Sequence, residues 1–283
     1  MIEEKKTIAV PSDQLLPMQC YRQATGDFKY VFEKKDCYDF LLQIEDESID
    51  LIIIDPPYNT TNADFEVKID LEKLFIELNR VAKKDAAIIC FCSLPFTFDV
   101  IAANKKYLKY SLVWNKRFGA NFFQANIMPL KVHEDIIVFC KGKTKFNPQK
   151  VKRKTPLKID FRPATKKDYV TVYGHSNEKV KEINKDYGYF EYSNPTTILD
   201  FDRKKDGSNI SPTQKPVDLI RYLIKSYSNI GDTVMDCFAG SCTTGVAAYL
   251  EERNFLGCEL HDRYYKKALK RLQNAVSQGI LRM

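Results

Sequence analysis

Asp50-Leu51-Ile52-Ile53-Ile54-Asp55-Pro56-Pro57-Tyr58-Asn59 decides how the rest of the chain is read. Four consecutive aliphatic residues, Leu51 to Ile54, describe a strand covered on both faces, the pattern of a parallel sheet. Pro56 and Pro57 stop the ladder, because neither donates a backbone hydrogen bond. The strand therefore ends in a rigid turn that carries Asp55, Tyr58 and Asn59. In open α/β sheets ligands bind beyond the carboxyl ends of the strands. An acid, a proline carbonyl and an aromatic ring are thus presented where a ligand sits.

That group suits one chemistry. The exocyclic amine of a nucleobase is planar and a poor nucleophile, because its lone pair is delocalised into the ring. The Asp55 carboxylate and the Pro56 carbonyl are two acceptors for its two N–H groups, and they draw the lone pair out of conjugation. Tyr58 offers a face for the base. Enzymes hold a flipped base in this way, by its polar edge and its faces. The plain alternative is a buried strand followed by a Pro-Pro turn, since a short motif is not specific alone.

Outward from this strand, the pattern alternates between strands and helices. Residues 1–26 are turn-rich and predict an arm across the surface. A strand is expected over Phe28–Lys35, with Asp36 and Cys37 at its end, then a short helix over Tyr38–Ile44. Leu71, Leu74, Phe75 and Leu78 share one face of a helix over Asp70–Ala82. Ala86–Cys92 is another apolar strand and Phe96–Asn104 a helix. Tyr110–Trp114 and Asp135–Cys140 read as an antiparallel pair at the sheet edge, joined through a polar, basic loop that begins Asn115-Lys116-Arg117-Phe118. Trp114 is a core residue or a stacking platform; His133 is expected to be structural, packed near it.

The last third has the order strand, small-residue loop, helix, strand, acid. A helix over Pro216–Tyr227 leads into the strand Thr233–Phe238. Ala239-Gly240-Ser241-Cys242-Thr243-Thr244-Gly245 follows, then a helix over Val246–Arg253, a strand over Phe255–Leu260 and a basic helix over Tyr264–Gln278. This is the arrangement of a dinucleotide-type βαβ unit, and Glu259 stands near the distance at which a carboxylate binds ribose hydroxyls. The loop departs from G-x-G-x-x-G, and a nicotinamide enzyme is the generic alternative. The other half of the chain offers a base-amine pocket and no hydride-transfer group. A ribose-bearing cofactor beside a base amine means group transfer, which S-adenosylmethionine fits.

Composition divides the chain further. It has 283 residues and a net charge of +7. Between Lys141 and His175 eleven Lys/Arg face two acids, a local +9, so the remainder nets −2. A charge run of this kind is a solvated insertion or, beside a base-handling site, a nucleic-acid clamp with lysines on phosphates. Expected contacts are Asn59, Lys116, Arg117, Lys150, Lys152, Arg153, Lys154, Lys166 and Lys167. Eight cysteines show no CxxC pair and no metal-ligand spacing, and they read as reduced core thiols with no metal site. No signal peptide or membrane-length apolar run is seen.

Asp-Pro-Pro-Tyr at 55–58 resembles the catalytic motif of amino-group methyltransferases acting on DNA adenine. Phe238 to Gly245 is similar to their cofactor loop, and Ser211-Pro-Thr-Gln-Lys-Pro216 to the element preceding that loop in the β-class. Trp114-Asn-Lys and His133-Glu-Asp-Ile-Ile-Val-Phe also look like its members. Catalytic motif, basic insert and cofactor loop stand in the permuted order of that class.

The resemblance implies an α/β, Rossmann-like, mostly parallel methyltransferase sheet with helices on both faces and a basic recognition insert. Its parts would be an arm (1–26), a catalytic half (27–140), a target-recognition insert (141–205) and a cofactor-binding half (206–283). Catalytic roles fall to Asp55, Pro56, Pro57 and Tyr58. The cofactor is S-adenosylmethionine. Asp36 would contact its adenine and Glu259 its ribose, Phe238, Gly240 and Ser241 would line the methionine side, and Thr213 and Lys215 would close the pocket. Cys37, Asp55, Asp236, Ala239, Thr243, Thr244 and Leu260 complete the expected lining. The implied reaction is methylation of adenine N6 in duplex DNA by base flipping and direct transfer. Cytosine-N4 methylation and an inactive DNA-binding subunit are the alternatives. Implied partners are double-stranded DNA, a homodimer mate and a cognate restriction endonuclease, with no membrane, in a bacterial or phage-encoded cytoplasmic setting. Two positions depart from the family: Cys242 where glycine is usual, and Ser211 where histidine is frequent. A positive φ at 242 would strain a cysteine.

Overall fold

The computed structural model describes residues 28–58, 69–120, 122–158, 189–203, 210–211 and 213–277, without the side chains of 120, 153–158 and 189–191. The expected arm at 1–26, together with Asn59, Lys166 and Lys167, lies outside the described residues. The first elements are β1 (Tyr30–Lys34), α1 (Cys37–Leu41), β2 (Ile49–Ile54), α2 (Leu71–Val81), β3 (Ala82–Cys92) and α3 (Phe96–Ala103). Next come β4 (Leu108–Ala120), β5 (Lys131–Phe139), β6 (Val151–Lys158), β7 (Tyr189–Ser193) and β8 (Ile198–Asp200). The chain continues with α4 (Val217–Tyr227), β9 (Thr233–Asp236), α5 (Thr243–Leu250), β10 (Asn254–Glu259) and α6 (Asp262–Ser277).

Two compact units result. The larger comprises residues 1–147 and 197–283, and the smaller Pro148–Thr196. The smaller unit holds the antiparallel pair β6–β7. Its limits are narrower than the 141–205 that the resemblance implies for the recognition insert. Lys141 and Lys145 are committed to Glu47 (3.0 Å) and Asp232 (2.7 Å) of the larger unit. The backbone of Asn147 is likewise held by the carbonyl of Ser226.

In the larger unit eight strands form one sheet in the order β1-β10-β9-β2-β3-β5-β4-β8. The run from β1 to β3 is parallel, and β5 is antiparallel to both neighbours. Strand alternation sorts the core into two layers. Leu51 and Ile53 point with Val234 and Phe255 towards α4, α5 and α6. Ile52 and Ile54 point with Ile88 and Met235 towards α1, α2 and α3. Every residue of β2 from Leu51 to Ile54 is buried, each worth about 1.5–3 kcal/mol of transfer free energy. Helices therefore cover both faces, and a continuous apolar run is what such a strand requires.

Helix limits follow from local chemistry. Asp70 caps α2 by accepting from the amide of Lys73 at 3.0 Å, and Asp36 caps α1 through the amide of Tyr38 at 2.8 Å. Pro216 stands at the N-cap of α4, one position ahead of the expected first turn. α5 begins at Thr243, three residues before the expected Val246, because the loop turns straight into it: the amide of Cys242 bonds the carbonyl of Ala239 at 2.6 Å.

Three expectations at the sheet edge are corrected. The segment Asn115–Phe118 is not a loop, since β4 runs on to Ala120 and pairs there with Lys131. The β4–β5 pair is not the edge, because β8 adds in parallel against Val113–Asn115. His133 does not pack near Trp114. It stands opposite Asn115 and is exposed, whereas the residue opposite Trp114 is Glu134. Trp114 itself is core, with Nε1 donating to the carbonyl of Phe201 at 2.8 Å.

The order places a reversal at the middle of the sheet. From β2 the chain steps by α2 to β3 on one side; from β9 it steps by α5 to β10 on the other. β2 and β9 are neighbours, Leu51 opposite Val234 and Ile52 opposite Met235. The crevice at such a switch point is where open α/β sheets bind ligands.

Candidate active site

Both strands that flank the switch deliver a carboxylate and a turn to the same side. Asp55 follows β2, and Asp236 ends β9. Asp55, Phe91, Ser211, Thr213, Gln214 and Lys215 line a cleft with Asp236, Phe238, Ala239, Gly240, Ser241, Thr243 and Thr244. Its space, counted with the solvent at its open mouth, is about 430 Å³.

On one wall, Asp55 is held at both oxygens. Tyr58 donates its hydroxyl to Oδ1 at 2.9 Å, and Lys215 Nζ binds Oδ2. Lys215 Nζ also lies 3.4 Å from Glu134 Oε2 and over the Phe91 ring, while Lys116 Nζ reaches Glu134 Oε1 at 3.1 Å. Carboxylates and ammonium groups alternate along this largely buried chain: Asp55, Lys215, Glu134, Lys116. Burial pushes the Asp55 carboxyl above its ordinary range; Lys215 pulls it back and Glu134 adds to the push. Burial acts to lower Lys215, but Asp55 and Glu134 outweigh it and keep the ammonium charged. For Glu134 burial is outweighed by Lys215 and Lys116, which hold its carboxyl below the usual range. The Tyr58 ring stacks on Phe96, centroids 5.1 Å apart at 26°, so one of its faces is covered.

The other wall is the loop after β9. Gly240 has φ +51°, where a glycine carries no penalty, and its amide donates to Glu259 Oε2 at 2.9 Å. Glu259 Oε1 accepts from the amide of His261 at 2.8 Å. Asp236 accepts from the Phe238 amide at 3.0 Å and from Thr244 Oγ1 at 2.6 Å. Burial nevertheless raises its carboxyl to about 7, with Asp55 and Glu259 adding to the effect. Cys242 sits at φ +56°, the strained conformation anticipated for a non-glycine residue there, and its side chain is fully buried. Arg271 on α6 clamps the loop from outside, donating through Nη1 to the Ser241 carbonyl (2.8 Å) and to Thr243 Oγ1 (3.0 Å).

The expected residues distribute unevenly. Asp55, Thr213, Lys215, Asp236, Phe238, Ala239, Gly240, Ser241, Thr243 and Thr244 converge on the cleft. Pro56 is buried and Pro57 partly exposed behind them. Glu259 supports the loop from below, next to Asp36: the amide of Lys35 bonds the carbonyl of Glu259 at 3.2 Å. Leu260 is exposed, and Cys37 faces the α1 core, where burial, then Asp36, pushes its thiol up to about 12. Lys116 is a correction: it points inward to Glu134 and is buried, which leaves no ammonium at the surface for phosphate. Arg117 is exposed and pairs with Asp202 at 3.3 Å. Lys150 and Lys152, in the smaller unit, are exposed. Sequence reasoning missed Phe96, Glu134 and Arg271. Only Glu134 carried a signal, inside His133-Glu-Asp-Ile-Ile-Val-Phe; the other two act through contacts made by folding.

Among the described residues no cluster has the make-up of a metal site, and no helix is long and apolar enough to cross a membrane. All seven described cysteines are buried and free, as expected of core thiols. Cys20 lies outside the described residues.

The donor set fits S-adenosylmethionine. Carboxylates at 236 and 259 suit ribose hydroxyls and a cationic centre, hydroxyls at 241, 243 and 244 suit polar groups, and Gly240 leaves its backbone open to close approach.

Comparison with known proteins adds independent findings. A family model described as DNA methylase matches residues 49–270. The chain is 32% identical to the DNA adenine methyltransferase YhdJ of Escherichia coli (strain K12), over 83% of this chain and 80% of that protein. It is 29% identical to the type II methyltransferase M1.MboII of Moraxella bovis, over 82% and 92% respectively. The solved M1.HpyAVI–SAM complex superposes with TM-score 0.57 at 21% identity, covering 86% of this chain and 98% of that one. The cytosine-N4-specific PvuII DNA methyltransferase superposes at 0.58 and 13% identity, covering 88% and 92%. At those identities the two structures speak to the fold alone.

Proposed function

The chain belongs to the DNA methylase family, and from that premise we propose that it methylates the N6 amine of adenine within a specific sequence of duplex DNA. The observation that carries this reading is the common cleft: Asp55 and the 238–244 loop, far apart in sequence, line one cavity. When bound, S-adenosylmethionine supplies an electrophilic methyl group on its sulfonium. Asp236 and the 238–244 loop would hold it, with Glu259 bracing the loop and Thr213 and Lys215 closing the pocket.

The protein contributes placement and electrostatics. A flipped adenine presents its N6 amine to Asp55 and to the Pro56 carbonyl. Both are acceptors, so each N–H bond made there returns electron density to the nitrogen. Tyr58 is braced by Phe96 on one face, which leaves the other for the base. Orientation of this kind is worth several kcal/mol of barrier without a covalent intermediate. Asp before Pro-Pro-Tyr favours adenine over cytosine-N4, since the family resemblance associates serine with the latter. The named relative YhdJ points the same way.

The test is Asp55→Ala. Methyl transfer should fall by about two to three orders of magnitude, the scale of losing one preorganised polar group in an active site, while calorimetry with S-adenosylmethionine still gives binding. Digesting methylated DNA to nucleosides and weighing them separates N6-methyladenine from N4-methylcytosine. Full activity in the variant, or N4-methylcytosine as product, overturns the reading.

A further inference from the structure

We infer that the tip of the β4–β5 hairpin, with Phe122 and Phe123 in the turn that follows β4, is the wedge that enters the duplex and fills the gap left by the flipped adenine. The inference rests on the proposed adenine methylation and adds to it the element that opens the helix.

Register places the hairpin. Ile54 lies opposite Cys90, Cys90 opposite Ile137, and Ile137 opposite Ser111. Asp55 therefore stands at the level of Phe91, Ile136 and Leu112. Cys92, the last residue of β3, pairs with Asp135, and Asp135 with Val113. Residues 115–133 extend past that level on the side where Asp55 is presented. β4 bulges between Asn115 and Ala120, so the reach is set by β5: from Ile136, level with Asp55, to Lys131, opposite Ala120, that strand covers on the order of 17 Å. The root of the hairpin is tied to the reaction centre, because Glu134 binds the same Lys215 that holds Asp55.

The tip is apolar where a soluble hairpin would be polar. Phe118, Phe122 and Ile127 are at least 70% exposed and Phe123 is fully exposed. Grouped aromatic rings in water mark an interaction site. No acidic residue occurs between Asn115 and His133, so the arm brings no charge that phosphates would repel. Apolar side chains inserted between base steps are how proteins unstack and hold open a duplex, and every base offers a ring face for stacking. A flipped base needs a replacement in the stack, and the hairpin holds rings on the side from which DNA must approach.

The experiment uses the full chain and duplexes bearing its recognition sequence, mapped by modified-base sequencing of DNA from cells that express it. One duplex carries 2-aminopurine at the target position, and one carries an abasic site opposite the target adenine. Phe122→Ala/Phe123→Ala should lose about tenfold or more of the 2-aminopurine fluorescence rise and of kcat/KM on the matched duplex, the scale of removing one or two stacked rings. On the abasic duplex, where the base is already loosened, it should return to within about twofold of the parent. Phe123→Leu, which keeps an apolar wedge, should retain most of both signals. Wild-type rates in the double variant on matched DNA overturn the wedge, as does an equal loss on both duplexes. A sedimentation shift to fewer copies accompanying that equal loss identifies the tip as an interface between copies instead. A parent chain that methylates adenine in no sequence sinks the underlying reading, which is a different result from a parent that works and a variant that works equally well.

Discussion

Lys215 shows how a single side chain sets the charge state of the site. It is the only ammonium bonded to Asp55 among the described residues, and it shares itself with Glu134. Two carboxylates brought this close repel, and the cation between them decides whether both stay ionised. Lys215→Met keeps the length and removes the charge. Asp55 is already raised by burial; without Lys215 it should rise further, so that the ionised acceptor forms only at higher pH. The acid limb of the kcat/KM profile, recorded at saturating S-adenosylmethionine, should therefore move to higher pH. Urea denaturation should show a loss of about 3 kcal/mol, as for a buried ion pair broken from one side. An acid limb that stays in place would mean that Asp55 does not need Lys215 to ionise. None of this pairing was legible in the sequence, since 160 positions separate the partners. What was legible was the chemistry of each residue: Asp55 from its Pro-Pro turn, Lys215 from the element before the loop.

At the scale of elements, apolar runs and periodicity recovered the strands and helices that are buried on one or both faces, and failed where pairing alone makes the structure. β2 needed only its own sequence. The outer half of β4 is polar and basic, and it is a strand because β5 lies beside it. β8 has three residues and one buried side chain, too little pattern to read. His133 was misjudged for the same reason: its face depends on a period of two counted from a register that the sequence does not print. The start of α5 is a further case, and it is testable. Cys242 is its N-cap in a left-handed conformation, which costs a side chain about 1–2 kcal/mol. Its Sγ fills the space beside Gly245 and Phe255, where a Cβ on Gly245 would come within 2.5 Å of it. Cys242→Gly removes the strain and the filling atom together, so thermal stability should change by less than about 1 kcal/mol. Cys242→Val puts a β-branched side chain at the same φ and should cost about 2–3 kcal/mol. Differential scanning calorimetry on the two variants checks this. A valine variant as stable as the parent would show that the loop has another conformation open to it.

For the whole molecule, the distribution of charge argues for a division of labour. The chain carries +7, yet outside residues 141–175 it nets −2. Part of that positive segment is spent on internal pairing, as at Lys141 and Lys145. What remains begins in the smaller unit, where Lys150, just before β6, and Lys152, within it, are exposed. If this unit grips phosphates, each neutralised phosphate releases counterions and steepens the salt dependence of binding by about 0.9 in log–log slope. Replacing Lys150, Lys152, Arg153 and Lys154 by alanine should therefore flatten that slope by about 0.9 for every phosphate no longer neutralised, to a maximum of about 3.6. Fluorescence anisotropy across a salt series measures it on cognate and unrelated duplexes alike. Both should weaken in parallel, because phosphate contacts position a protein without reading sequence. S-adenosylmethionine affinity should hold, since every residue that lines the cleft belongs to the larger unit. An unchanged slope would mean that the positive excess is a solvated surface and that the DNA is held elsewhere.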